Sequence, residues 1–76
     1  MIPIFTVVTP RQGEVLVEII RAVRPTVAEL GQRLGVTNAT IDRHLAALRV
    51  RGLVTWARRR ARTLHVTGAP FVVVSR

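Results

Sequence analysis

The apolar positions of this chain change their period several times. Residues 2–8 (Ile2, Pro3, Ile4, Phe5, Thr6, Val7, Val8) are rich in β-branched and aromatic side chains, and proline is tolerated near a strand start, so they predict a strand. Thr9-Pro10-Arg11-Gln12 then signals a helix: threonine caps, proline suits the first turn, and Gln12 completes a capping box. Val15, Leu16, Ile19, Ile20 and Val23 recur at helical spacing and predict a helix over 10–23. Arg24-Pro25 breaks it. Thr26 and Glu29 form a second capping box, and Leu30 and Leu34 carry the apolar side of a short helix over 27–34, which Gly35 ends. Thr37 caps a third helix over 38–51, with Ile41, Leu45 and Leu48 on one side and Gly52 at its end.

Beyond Gly52 the period shortens to that of strands. Leu53–Trp56 and Thr63–Val66 predict the two arms of a hairpin over 53–66, with the basic loop Ala57-Arg58-Arg59-Arg60-Ala61-Arg62 between them. Thr67-Gly68-Ala69-Pro70 reads as a turn, and residues 71–74 as a last apolar strand. No repeat, low-complexity linker or domain boundary interrupts the pattern, so residues 1–76 predict a single domain. Three helices followed by a β-hairpin is the order of a winged helix-turn-helix, here of α+β class with extra terminal strands.

The middle pair of helices meets the demands of a helix-turn-helix. Two helices that cross closely need a small residue where they touch, and Gly31 stands there. The turn needs a residue at ease with positive φ, supplied by Gly35. Leu30, Leu34, Val36 and Ile41 fall where apolar side chains must lock the helices together.

Charge adds a partner to this outline. Twelve basic residues face four acidic ones, for a net charge of +8, and all twelve are arginine. Such a field favours a polyanion, and the forked guanidinium matches both phosphate and the guanine edge. The absence of cysteine excludes disulfides, thiolate metal sites and thiol catalysis. His44 and His65 stand apart without carboxylate company, so no metal site is expected, nor any cofactor or small-molecule ligand. The four acidic residues (Glu14, Glu18, Glu29, Asp42) read as helix first-turn or surface positions, and Ser75 is the only serine, so no enzyme is expected. The first residues are apolar but short, with no basic leader or cleavage site, and no run could span a bilayer. A cytoplasmic protein without membrane contact is expected.

Specific residues sharpen the outline into a family resemblance. Thr9-Pro10-Arg11-Gln12 with Glu14-Val15-Leu16, Pro25-Thr26 with Glu29-Leu30, Arg33-Leu34-Gly35, Arg43-His44-Leu45 with Ala47-Leu48, and Gly52-Leu53-Val54 resemble the DNA-binding domain of LexA-type SOS-response repressors over about residues 8–67. Arg62-Thr63-Leu64 is similar to that family's second wing strand. The resemblance implies a DNA-binding winged helix and a repressor. Those repressors also carry a self-cleaving domain with a Ser-Lys dyad; these residues contain no lysine, so damage-induced cleavage is not carried over. The apolar segments at both ends lie outside the resemblance.

With Ile41, Leu45 and Leu48 inward, the opposite side of the third helix holds Ala39, Arg43 and Ala46, flanked by Thr40, Asp42 and Ala47. A recognition helix enters the major groove with its N-terminal half, so Asn38, Ala39, Thr40, Asp42 and Arg43 are the candidates for base reading. Arg43 leads them, through the O6 and N7 of guanine. Thr37 is a candidate phosphate contact, and equally a cap alone. Arg58, Arg59, Arg60 and Arg62 on the wing are candidates for phosphates or a narrow minor groove, the plain alternative being a solvated loop. Asp42 has the alternative of pairing with Arg43 or Arg49.

The terminal strands would leave unpaired edges. They can pair within one chain, extending the wing sheet, or across a two-fold axis. Ile4, Phe5, Val7, Phe71 and Val73 are the candidate contacts, with a homodimer the favoured outcome because two half-sites multiply a weak monomer affinity. The leading expectation is therefore a sequence-specific binder of double-stranded DNA, a repressor of phage or mobile-element type. The alternative is a protein-interaction winged helix that docks through its apolar terminal strands.

Overall fold

A computed structural model describes residues 5–57 and 63–74. Its elements run β1 (Thr6–Val8), α1 (Pro10–Arg21), α2 (Val27–Leu34), α3 (Asn38–Val50), β2 (Val54–Thr55), β3 (His65–Val66) and β4 (Phe71–Val73). Each helix begins at a threonine in extended conformation. Gln12 N–H donates to Thr9 Oγ1 at 3.2 Å, and Thr9 N–H donates back to Gln12 Oε1 at 3.1 Å. Thr26 and Glu29 repeat this reciprocal pair at 3.1 and 2.8 Å. Two N–H groups are thereby satisfied at the starts of α1 and α2. At α3, Thr40 N–H donates to Thr37 Oγ1 at 3.2 Å, and position 40 has no carboxamide or carboxylate to return the bond.

The helix ends differ from the sequence expectation in one instructive place. α1 stops at Arg21, two residues before Val23. Pro25 disfavours helical geometry in the residue before it, and the chain leaves through Ala22 (φ −94°, ψ 92°) and Arg24 (φ 53°). Ile20 and Val23, counted by their spacing as part of the inward stripe, are 55% and 83% exposed, so no burial draws the last turn onward. α3 ends at Val50, one residue short of the expected 51, with Arg51 as its C-cap.

One core holds the three helices and the wing together. Val8, Val15, Leu16, Ile19, Leu30, Ile41, Leu45, Leu48, Leu53, Val54 and Leu64 are buried, and Val27, Leu34, Val36, Trp56, Val66 and Phe71 pack around them. Removing such side chains from water stabilises the fold by about 1.5–3 kcal/mol each before chain entropy is counted. Between α2 and α3 the turn depends on two glycines. Gly35 closes α2 at φ 70°, a left-handed conformation natural to glycine. Gly31 is buried, and a Cβ there would stand 2.8 Å from the Val36 carbonyl oxygen and 3.2 Å from Asn38 Oδ1. The close approach needed at Gly31 is thus to the turn and the first residue of α3.

The strands form two separate two-stranded sheets. β2 and β3 pair antiparallel as the wing, Val54 with Val66 and Thr55 with His65. β1 and β4 pair parallel within the chain, Thr6 with Phe71, Val7 with Val72 and Val8 with Val73. The terminal strands therefore neither extend the wing sheet nor leave β1 and β4 both unpaired for a second copy. Their inner face rests on α1: Val8 is buried in the core, and Val73 lies over Gly13, where a Cβ would meet Val73 Cγ2 at 2.7 Å. Among the described residues no helix is long and apolar enough to cross a membrane.

Candidate nucleic-acid interface

α3 presents two unlike sides. Ile41, Leu45 and Leu48 are fully buried, which locks the helix to α1, α2 and the wing. Asn38, Ala39, Asp42, Arg43, Ala46 and Ala47 are exposed. Three of these six are alanines, which keeps the outward side low and allows a groove floor to come close. Among the described residues Arg43 makes no hydrogen bond or ion pair, so its fork stands available on this side.

The remaining candidates at the start of α3 are more constrained. Thr40 is half-buried, and its hydroxyl lies 3.0 Å from that of Thr37, so both hydroxyls are engaged with each other and with the helix start. Asn38 is exposed, but its Oδ1 rests close to Gly31. Ala28, Gly31, Gln32, Gly35, Val36, Thr37 and Asn38 line a shallow notch here, between α2 and the N-terminus of α3. The wing candidates Arg58, Arg59, Arg60 and Arg62, like Ile4 among the strand candidates, lie outside the described residues.

The root of the wing is described, and it is tied to α3. The Arg49 guanidinium lies over the Trp56 ring, 4.1 Å from its centroid, and Nη2 donates to the Trp56 carbonyl at 3.4 Å. Ala57 N–H donates to Thr63 Oγ1 at 3.0 Å, joining the two described arms of the wing. Thr67 Oγ1 donates to the Gly52 carbonyl, and Thr67 N–H to that of Leu53, which fixes the other arm to the end of α3. Arg49 was not among the sequence candidates. Its partner lies seven residues away across a helix end, a spacing that no periodicity marks.

The strand candidates divide between the two faces of the terminal sheet. Phe71 and Val73 face inward, onto the core and Gly13. Phe5, Val7, Val72 and Val74 lie on the other face and are 39–51% exposed, and Val73, although it touches Gly13, is also 41% exposed. Two of the four acidic residues, Glu14 and Glu18, stand together on α1. Pro10, Gly13, Glu14, Val17, Glu18, Leu34 and Val73 line an open groove of about 480 Å³. Arg33 Nη1 stands 3.6 Å from Glu18 Oε2, which accepts no hydrogen bond among the described residues. Among the described residues no group of three or more potential metal ligands occurs.

Three helices, a turn built on Gly31 and Gly35, a low outward side on α3 and an antiparallel wing define a winged helix-turn-helix. Residues 6–63 match the model of the family described as the LexA DNA binding domain, and the chain belongs to that family. It is thus a DNA-binding domain by family. No curated protein matches the chain.

Proposed function

We propose that the protein is a sequence-specific repressor, of the compact type used by phages and mobile elements, that binds double-stranded DNA and catalyses no reaction. α3 enters the major groove, where Arg43 reads guanine and Asn38, Ala39, Thr40 and Asp42 meet neighbouring bases. Thr37 and the α3 N-terminus face a phosphate, and Arg58, Arg59, Arg60 and Arg62 reach phosphates or the minor groove. A second copy binds the adjoining half-site.

One observation carries this reading: the outward side of α3 is small, polar and exposed, with Arg43 unengaged among the described residues, in a chain of net charge +8. The Arg49–Trp56 contact supports it, since it holds the wing root at a set distance from α3. The test is a mobility-shift titration on a pool of random duplexes, for wild type and Arg43→Ala, at two salt concentrations. Wild type should enrich a motif, and Arg43→Ala should lose about tenfold to a hundredfold in affinity and relax one or two positions. Binding should weaken steeply with salt, as each phosphate contact releases counterions. Salt-sensitive binding with no enriched motif would leave a non-specific architectural protein. Absence of binding at low salt would reject DNA recognition and favour the docking of a protein partner on the exposed apolar face of the terminal sheet.

A further inference from the structure

The terminal sheet has two edges, and the structure closes one of them. Thr6 N–H donates to the Pro70 carbonyl and Val74 N–H to the Val8 carbonyl. In this parallel register Thr6 and Val8 turn their peptide groups toward β4, and Val72 turns its own toward β1. The Val7 peptide therefore points to the outer edge of β1, and those of Phe71 and Val73 to the outer edge of β4. Arg51, the C-cap of α3, donates from Nη1 to the Val7 carbonyl. A charged side chain on an edge carbonyl is a standard obstacle to further strand pairing. Among the described residues the edge of β4 has no such cover: beside Val73 lies the open groove along α1, and no strand pairs on that side.

We infer that β4 pairs antiparallel with β4 of a second copy about a two-fold axis at Val72, making the four-stranded sheet β1-β4-β4-β1. The register follows from which groups are free. Phe71 and Val73 of each copy exchange N–H···O=C bonds with Val73 and Phe71 of the other, four bonds in all. Val72 then faces Val72 of the second copy as a non-hydrogen-bonded pair, the arrangement that brings side chains closest. Phe5, Val7, Val72 and Val74, now half exposed on a two-stranded sheet, share one continuous apolar face.

The free peptide groups of Phe71 and Val73 are self-complementary about Val72, which makes a second copy the occupant, and charge permits it. Two chains of net charge +8 repel, and contact is least opposed where neither brings arginine. Residues 63–74 hold no Arg, Lys, Asp or Glu, so the strand itself brings no like charge, the nearest arginine after it in sequence being Arg76. This inference rests on the proposed DNA reading only for its purpose, the joining of two half-sites. Its geometry stands without it.

The test is made on the full chain without DNA. Sedimentation equilibrium should show a reversible dimer of the 8.4 kDa chain, tightening as salt rises because screening weakens the mutual repulsion. DNA binding moves the opposite way with salt, so failure of either reading is distinguishable from failure of the other. The association should fall in the tens of micromolar, about what a small interface supports. Val72→Lys, at an exposed position, should weaken it by about tenfold or more by placing like charges opposite one another. Amide exchange followed by NMR checks the geometry independently. Phe71 and Val73 amides should gain protection with protein concentration, while those of Val72 and Val74 are protected at every concentration. A monomer up to about 1 mM, a dimer indifferent to Val72→Lys, or concentration-independent exchange at Phe71 and Val73 would each overturn the proposal.

Discussion

Replacing Gly31 by alanine sets two effects of known sign against each other. In a helix interior alanine is favoured over glycine by about 0.8–1 kcal/mol, so propensity alone predicts a more stable protein. The added methyl, however, would stand 2.8 Å from the Val36 carbonyl oxygen and 3.2 Å from Asn38 Oδ1. The first obstacle is backbone, held in place by the Gly35 turn and the start of α3, so relief requires α2 and the turn to separate. Overpacking of this kind costs about 1–3 kcal/mol, and a backbone obstacle belongs in the upper half of that range. The net expectation is a loss of about 1–2 kcal/mol, or about 5–10 °C in Tm for a domain of this size. Urea and thermal unfolding followed by far-ultraviolet circular dichroism measure both. Gly13→Ala is the internal comparison: its propensity gain is the same, but its obstacle is Val73 Cγ2 at 2.7 Å, a side chain on a short edge strand that can yield. Gly13→Ala should therefore stay within about 1 kcal/mol of wild type. If Gly31→Ala proved as stable as wild type or more so, the close approach at the turn would not be what holds glycine at position 31.

Two further substitutions test the joints of the fold. Thr26→Ala removes the hydroxyl that accepts from Glu29 N–H on the shortest helix, leaves the backbone N–H of position 26 free to donate to Glu29 Oε1, and should cost about 1 kcal/mol by urea denaturation. Arg49→Ala should lower stability by only about 0.5–1 kcal/mol, since the contact with Trp56 is exposed. Its larger effect should be on DNA affinity, measured by mobility shift, through a wing no longer held to α3; Arg49→Lys should recover part of the stacking but not the forked geometry. Equal DNA binding by wild type and Arg49→Ala would show that the wing needs no such tie.

Much of the helical fold is written locally in the sequence. The ends of α2 are marked by Thr26 with Glu29 at one side and Gly35 at the other, and both signals act within a few residues. The end of α1 is harder to read. Ile20 and Val23 keep the helical period yet face solvent, because Pro25 redirects the chain before their side can be covered. The terminal sheet was legible as two strands but not as a pairing. Val72, Val73 and Val74 are equally apolar, so the alternation that would separate the Gly13-facing Val73 from the outward Val72 and Val74 is missing. On α3, the inward side is plain from Ile41, Leu45 and Leu48, whereas the mutual engagement of Thr37 and Thr40 is a matter of rotamers that no sequence pattern encodes.

The parallel pairing of β1 with β4 also sets an order of events in folding. The helices pack on their neighbours in sequence and β3 of the wing reaches back to α1, but the Thr6–Phe71 pair closes the longest loop, nearly the whole chain. Closing about 65 residues costs on the order of 3–4 kcal/mol of chain entropy, and three short rungs return little of it until Val8 and Val73 are already packed. The helical core therefore forms first and the sheet last, and on a ribosome β1 must wait for almost the entire chain to emerge. In the native state a sheet held by three rungs should open before the helices unfold. A competing strand that captured β4 at that moment would displace β1 and release the Arg51 tie, so invasion of the sheet would be felt at the end of α3.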